Sequence, residues 1–181
     1  AEVAAATDPV TGAAMLDVIL DKAGQKGTGR WTVIEAQHLS APIPVIEAAV
    51  AARNTSARLE ERQLGEAMFG PAPSPLPPGT LTPEVLEEAM IAGKILCYAQ
   101  GFAMIAAAGP AFGWSLPLPE IARVWRAGCI IRSAMLNDMA EALEDDPERN
   151  LMRAGFFAEH LRHSVPSLRA VVAAGALNGL A

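Results

Sequence analysis

Aromatic residues, cysteine, histidine and charge are all in short supply along this 181-residue chain. Aromatics make up 5% and charged residues 19%, against 51% hydrophobic residues rich in alanine. That balance excludes disorder, because a chain this apolar can fill an interior. Alanine in place of aromatics favours helices whose axes approach closely. A formal net charge of −6 argues against nucleic acid as the main partner, since phosphate backbones demand basic patches. A local basic pocket for a small anion remains compatible with it. The two cysteines, Cys97 and Cys129, lie in apolar runs without metal-like spacing and read as buried thiols of a reducing cytoplasm. His38, His160 and His163 make no HExxH set, and a pair three residues apart lacks a third ligand, so no metal site is expected. The opening Ala1–Asp8 has neither the charged start nor the long apolar run of a secretion signal.

What is present is helical periodicity. The length suits one domain over residues 1–181. No alternating run of strand length occurs, and Asn178-Gly179 falls at the chain end rather than between strands. The spacing predicts helices over residues 12–22, 31–39, 44–69, 83–108, 120–144, 148–163 and 166–178. Thr82 is a good N-cap, with Pro83 and Glu84 in the first turn behind it. Residues 70–83 hold six prolines and read as an extended loop. The run from Ala89 to Gly109 is long enough to cross a membrane, but Lys94 and Gln100 lie mid-run, so a buried helix and no membrane are expected. The fold class is all-α, without internal repeats.

Three constellations could carry chemistry. In GQKGTGR (residues 24–30) three glycines let the backbone turn and point N–H groups at one place, while Lys26, Thr28 and Arg30 add charge and a hydroxyl. A following helix would add its dipole, making a seat for phosphate or carboxylate. The alternative is a flexible connector with a solvated lysine. Arg53 lies in a small apolar run, where a half-buried guanidinium needs either an anion or a carboxylate such as Glu47 or Glu35. Arg126 and Arg132 punctuate an apolar helix, where arginine more often satisfies helix ends or carboxylates than a ligand. Tyr98 and Gln100 read as polar anchors in a core. Neither GxxxxGK[ST] nor a Rossmann GxGxxG is present, and no Ser–His–Asp set can be argued from spacing.

AGQKGTGRWT (residues 23–32) closely resembles a signature of the 6-phosphogluconate dehydrogenases, with Arg30 where a lysine is usual. TGAAMLDVILDK (11–22), YAQGF (98–102), FGW (112–114) and WRAGCIIRS (125–133) are similar to the same family in the same order, Ala127 replacing a common glycine. The likeness is strong over about residues 7–136 and weakest in the proline-rich loop.

The resemblance implies the all-helical C-terminal domain of such an enzyme. It also implies NADP-dependent oxidation of 6-phosphogluconate and loss of carbon dioxide to give ribulose 5-phosphate, in the pentose phosphate pathway and gluconate use. Lys26, Thr28 and Arg53 match the family's grip on the substrate phosphate. The family's catalytic lysine and glutamate, and its nucleotide-binding domain that holds NADP, would lie upstream. A tail that enters the partner's active site would follow Leu180. No catalytic residue is therefore expected here, and the chain alone is expected to be inactive. A homodimer built on helices 83–108 and 120–144 is implied as well. A rival reading is a stand-alone helical dimer that binds an anionic metabolite or a protein without chemistry. A third is a purely structural dimerisation module, which predicts no anion near Lys26.

Overall fold

The computed structural model describes residues 2–71 and 76–180. Among them lie nine α-helices: α1 (Glu2–Ala5), α2 (Met15–Val18), α3 (Thr28–His38), α4 (Pro44–Ser56), α5 (Leu59–Phe69), α6 (Pro83–Phe112), α7 (Leu118–Gly128), α8 (Met135–Asp145) and α9 (Gly155–Leu177). A 3-10 turn, Leu151–Arg153, leads into α9. The β structure among the described residues is one isolated bridge between Thr7 and Ala14. The all-α expectation holds.

α6 is the axis of the molecule. Thr82 caps it by accepting the Val85 N–H at 3.3 Å, and Gly113 ends it in the left-handed region at φ 67°. It packs most extensively against α9, while α7 and α8 form a hairpin beside it. Phe102, Leu136, Met139 and Phe157, each 2% exposed or less, join these elements in one core. Burying each such side chain contributes about 1.5–3 kcal/mol. Between α6 and α9, Glu88 accepts the Ser167 hydroxyl and pairs with His163 Nε2 at 3.1 Å. Arg123 on α7 reaches both Glu120 and Glu144, tying the hairpin together at its surface.

Several predicted boundaries move, each for a tertiary reason. The helix expected over 12–22 shrinks to α2, because Leu16, Ile19 and Leu20 stand 54–69% exposed with nothing to pack on. The helix expected over 44–69 breaks at Ala57–Arg58. There the Arg62 guanidinium takes the Ser56 carbonyl at 3.2 Å, satisfying a helix end that would otherwise have to continue. The helix expected over 120–144 splits into α7 and α8, because the Tyr98 hydroxyl donates to the Ile131 carbonyl and holds the link in irregular backbone. Two helices expected beyond 148 are instead the 3-10 turn and one continuous α9 with Pro166 inside it. One missing N–H is tolerated there because α9 is buttressed along its length by α6. α3 begins at Thr28, three residues earlier than predicted, and α6 runs on to Phe112 through Pro110. Pro73 and Pro75 of the expected proline-rich loop lie outside the described residues, and Leu76–Leu81 is irregular, as expected.

Candidate functional site

The site is assembled where the glycine-rich turn enters α3. Gly27 is the N-cap at φ 108°, a conformation that side chains resist, and its carbonyl accepts the Trp31 N–H at 3.0 Å to open the helix. No side chain caps this end, so the first N–H groups of α3 and the positive end of its dipole face outward. Gly29 lets α3 approach α4 closely: a Cβ there would meet Val50 Cγ2 at 3.1 Å.

Four side chains from α4 and α5 clip the turn in place. Ser56 Oγ accepts the Ala23 N–H at 3.0 Å, and Asn54 Oδ1 accepts the Gln25 amide. Arg53 donates to the Gly24 carbonyl. Arg62 pairs with Asp21 Oδ2 at 2.7 Å. α4 is in turn fixed to α6 by Gln100, whose Oε1 accepts the Val45 N–H at 3.1 Å. Gln100 is thus the polar anchor expected of it. Asn54 and Ser56 were missed as positioning residues, since their partners lie about thirty residues away and no local pattern signals them.

The result is a depression of about 250 Å³ lined by Lys26, Thr28 and Arg53 over an apolar floor of Ile46, Ala49 and Val50. All three residues singled out in the sequence therefore meet at one place. Two cations, a hydroxyl and an uncapped helix N-terminus converge there, the chemistry of an anion seat. One expectation is corrected. Arg53 is exposed rather than half-buried, and its partner is the Gly24 carbonyl, not Glu47 or Glu35. The reason is that α4 shows its Ala51–Thr55 stretch to solvent. Glu47 is instead taken by Gln37 at 2.6 Å, and Glu35 by His38 at 3.6 Å.

The remaining residues stand apart from this depression. Arg126 has its Nε buried without a partner, and neither Arg126 nor Arg132 makes an ion pair among the described residues, so the expected pairing with a helix end or a carboxylate is not seen for either. Cys97 and Cys129 are free thiols, partly exposed rather than buried. Burial still pushes the Cys97 thiol up from its ordinary value. His160 packs edge-on against Phe156. No group of three or more metal-ligating side chains occurs among the described residues.

Comparison with known proteins gives the same direction throughout. The family description "6-phosphogluconate dehydrogenase, C-terminal domain" matches residues 1–181. A decarboxylating 6-phosphogluconate dehydrogenase of Synechocystis sp. is 42% identical over 163 residues, covering 88% of this chain and 34% of its own. The NADP(+)-dependent and NAD(+)-dependent decarboxylating enzymes of Bacillus subtilis are 40% and 39% identical, covering 96% and 99% of this chain. The Plasmodium falciparum 6-phosphogluconate dehydrogenase, solved in apo form, with NADP+ and with 6-phosphogluconate, superposes with a TM-score of 0.86 at 32% identity over 99% of this chain. This chain spans 34–39% of the length of these relatives. On fold, sequence and domain match together, the chain belongs to the 6-phosphogluconate dehydrogenase family and carries that family's C-terminal domain.

Proposed function

We propose that the chain is the substrate-positioning part of an enzyme that oxidises and decarboxylates 6-phosphogluconate to ribulose 5-phosphate with NADP, in the pentose phosphate pathway of the cytoplasm. The observation that carries this reading is the meeting of Lys26, Thr28 and Arg53 at the uncapped N-terminus of α3. There the two cations and the hydroxyl hold the substrate phosphate. A fixed phosphate places the reacting carbons for groups supplied from elsewhere, and effective molarity rises accordingly. The residues described contain no strand–turn–helix unit of the kind that seats a dinucleotide, so NADP is assigned to a separate nucleotide-binding domain and no cofactor step to this chain. The NADP(+)-dependent and NAD(+)-dependent Bacillus subtilis relatives are equally similar to this chain, so the choice between the two cofactors belongs to the nucleotide-binding domain. The chain also supplies the dimer interface through α6 and the α7–α8 hairpin.

Calorimetric titration with 6-phosphogluconate, and with gluconate as the control without phosphate, tests the grip. The intact site binds the phosphorylated sugar acid and not gluconate. Lys26→Ala and Arg53→Ala each weaken it roughly 10- to 100-fold, the loss expected for a charge-assisted hydrogen bond. Equal binding of gluconate, or binding unchanged in both variants, sinks the assignment.

A further inference from the structure

Lys26 and Arg53 line one depression, and neither has an ion pair among the described residues. Two such cations repel until an anion lies between them. Lys26 must therefore be held in place beforehand, and the backbone of its own turn does not hold it. Ala23–Lys26 makes no backbone–backbone hydrogen bond among the described residues. A segment of that kind keeps its conformational freedom unless side chains from elsewhere fix it.

Arg62 on α5 supplies the fixing from behind. It does not line the depression, and its side chain is 30% exposed. Nη1 meets the Asp21 carboxylate at 2.7 Å, while Nη2 donates to the Asp21 carbonyl and, at 3.2 Å, to the Ser56 carbonyl. Ser56 in turn accepts the Ala23 N–H with its hydroxyl. One guanidinium thus joins α5, the end of α4 and the residue two positions before the unsupported segment. Its fork serves these acceptors together, and the Asp21 charge balances it, so the clip adds no net cation behind Lys26. Arg53 and Asn54, which clip the same segment, are both exposed; Arg62 is the sheltered cation of the set.

We propose that Arg62 is a positioning residue of the phosphate grip, acting on the ligand only through the segment that carries Lys26. The inference rests on the phosphate reading above and names the residue that presets it. A turn ordered in advance binds without spending ligand affinity on its own ordering.

Calorimetric titration of the whole chain with 6-phosphogluconate, on a double-mutant cycle of Lys26→Ala and Arg62→Met, tests it. Methionine keeps an apolar stem and loses the guanidinium, and circular dichroism checks that each variant is folded. Arg62→Met weakens binding about tenfold, although the residue touches no ligand. With Lys26 already replaced, the same change costs less than about twofold, because no ammonium is left to position. An arginine that only supports the fold gives no such coupling in affinity. Asp21→Ala cuts the ion pair and leaves both carbonyl bonds; it weakens binding in the same direction and carries the same cycle if Arg62→Met does not fold. An equal loss with and without Lys26, or affinity unchanged by the substitutions at 62 and 21 while Lys26→Ala weakens it, overturns the positioning role and leaves the phosphate grip standing. A wild-type chain that binds 6-phosphogluconate no better than gluconate overturns the phosphate reading, and this inference with it.

Discussion

At Arg53 one guanidinium nitrogen is engaged by the Gly24 carbonyl, and the others remain for a ligand. The side chain therefore shapes the turn that carries Lys26 while lining the same depression. Its short reach to a carbonyl is why Arg53→Lys is not conservative here, since an ammonium lacks the planar fork that serves two acceptors at once. Tyr98 makes a second residue-scale case. It is the only tyrosine in the chain, and it is 8% exposed, with its hydroxyl donating to the Ile131 carbonyl. Burial, and then the nearby Cys129 and Cys97, push its phenol above the ordinary value of 10.0. The unfolded chain thus loses its phenolic proton first as pH rises. Stability from this group is full below pH 10 and is lost on going up through the raised value. The change in near-ultraviolet absorbance on forming a tyrosinate comes from this residue alone, since the three tryptophans do not ionise, so the ionisation midpoint should lie above 10 in the folded chain and fall on unfolding. Tyr98→Phe removes the titration and costs about 1 kcal/mol, chiefly by orphaning the Ile131 carbonyl; urea unfolding measures it.

At the scale of elements, helix starts were more legible than helix ends. Thr82, Pro83 and Glu84 mark the start of α6 by chemistry that needs no tertiary partner. The Glu84 carboxyl is held below its ordinary 4.5 by its own backbone N–H and by the Thr82 hydroxyl. A depressed carboxylate contributes stability that is present above 4.5 and is lost as pH falls through the lowered value. The first turn of α6 should therefore loosen in acid. Thr82→Ala should bring the Glu84 carboxyl back toward 4.5 in an NMR titration and lower stability by about 1 kcal/mol at neutral pH. Helix ends behave otherwise. The breaks after Ser56 and Gly128 depend on Arg62 and Tyr98 arriving from other elements, and the survival of α9 through Pro166 depends on α6. No local pattern encodes those arrivals.

The whole molecule is a layer of helices organised on α6. Phe157, fully buried on α9, packs edge-on to Phe156 and closes the core shared by α6, α8 and the 3-10 turn. Phe157→Ala should cost about 3–5 kcal/mol, as transfer and cavity terms add. That is a large part of the about 5–15 kcal/mol that such a domain commands, and urea unfolding would show the midpoint falling. A loss under about 1 kcal/mol would place the core elsewhere.

By itself the sequence determined the helical class, the chemistry of the GQKGTGR turn, the cap of α6 and the family. These follow from periodicity, from glycines that alone accept the backbone of Gly27, and from motifs that are contiguous in the chain. Only the tertiary structure decided that Lys26, Thr28 and Arg53 share one depression, that Arg53 is exposed and clips Gly24, and where four of the predicted helices break or join. The clips of the turn and the α7–α8 split rest on hydrogen bonds between residues about thirty positions apart, and the continuity of α9 on its packing against α6, neither of which leaves a trace in a local pattern.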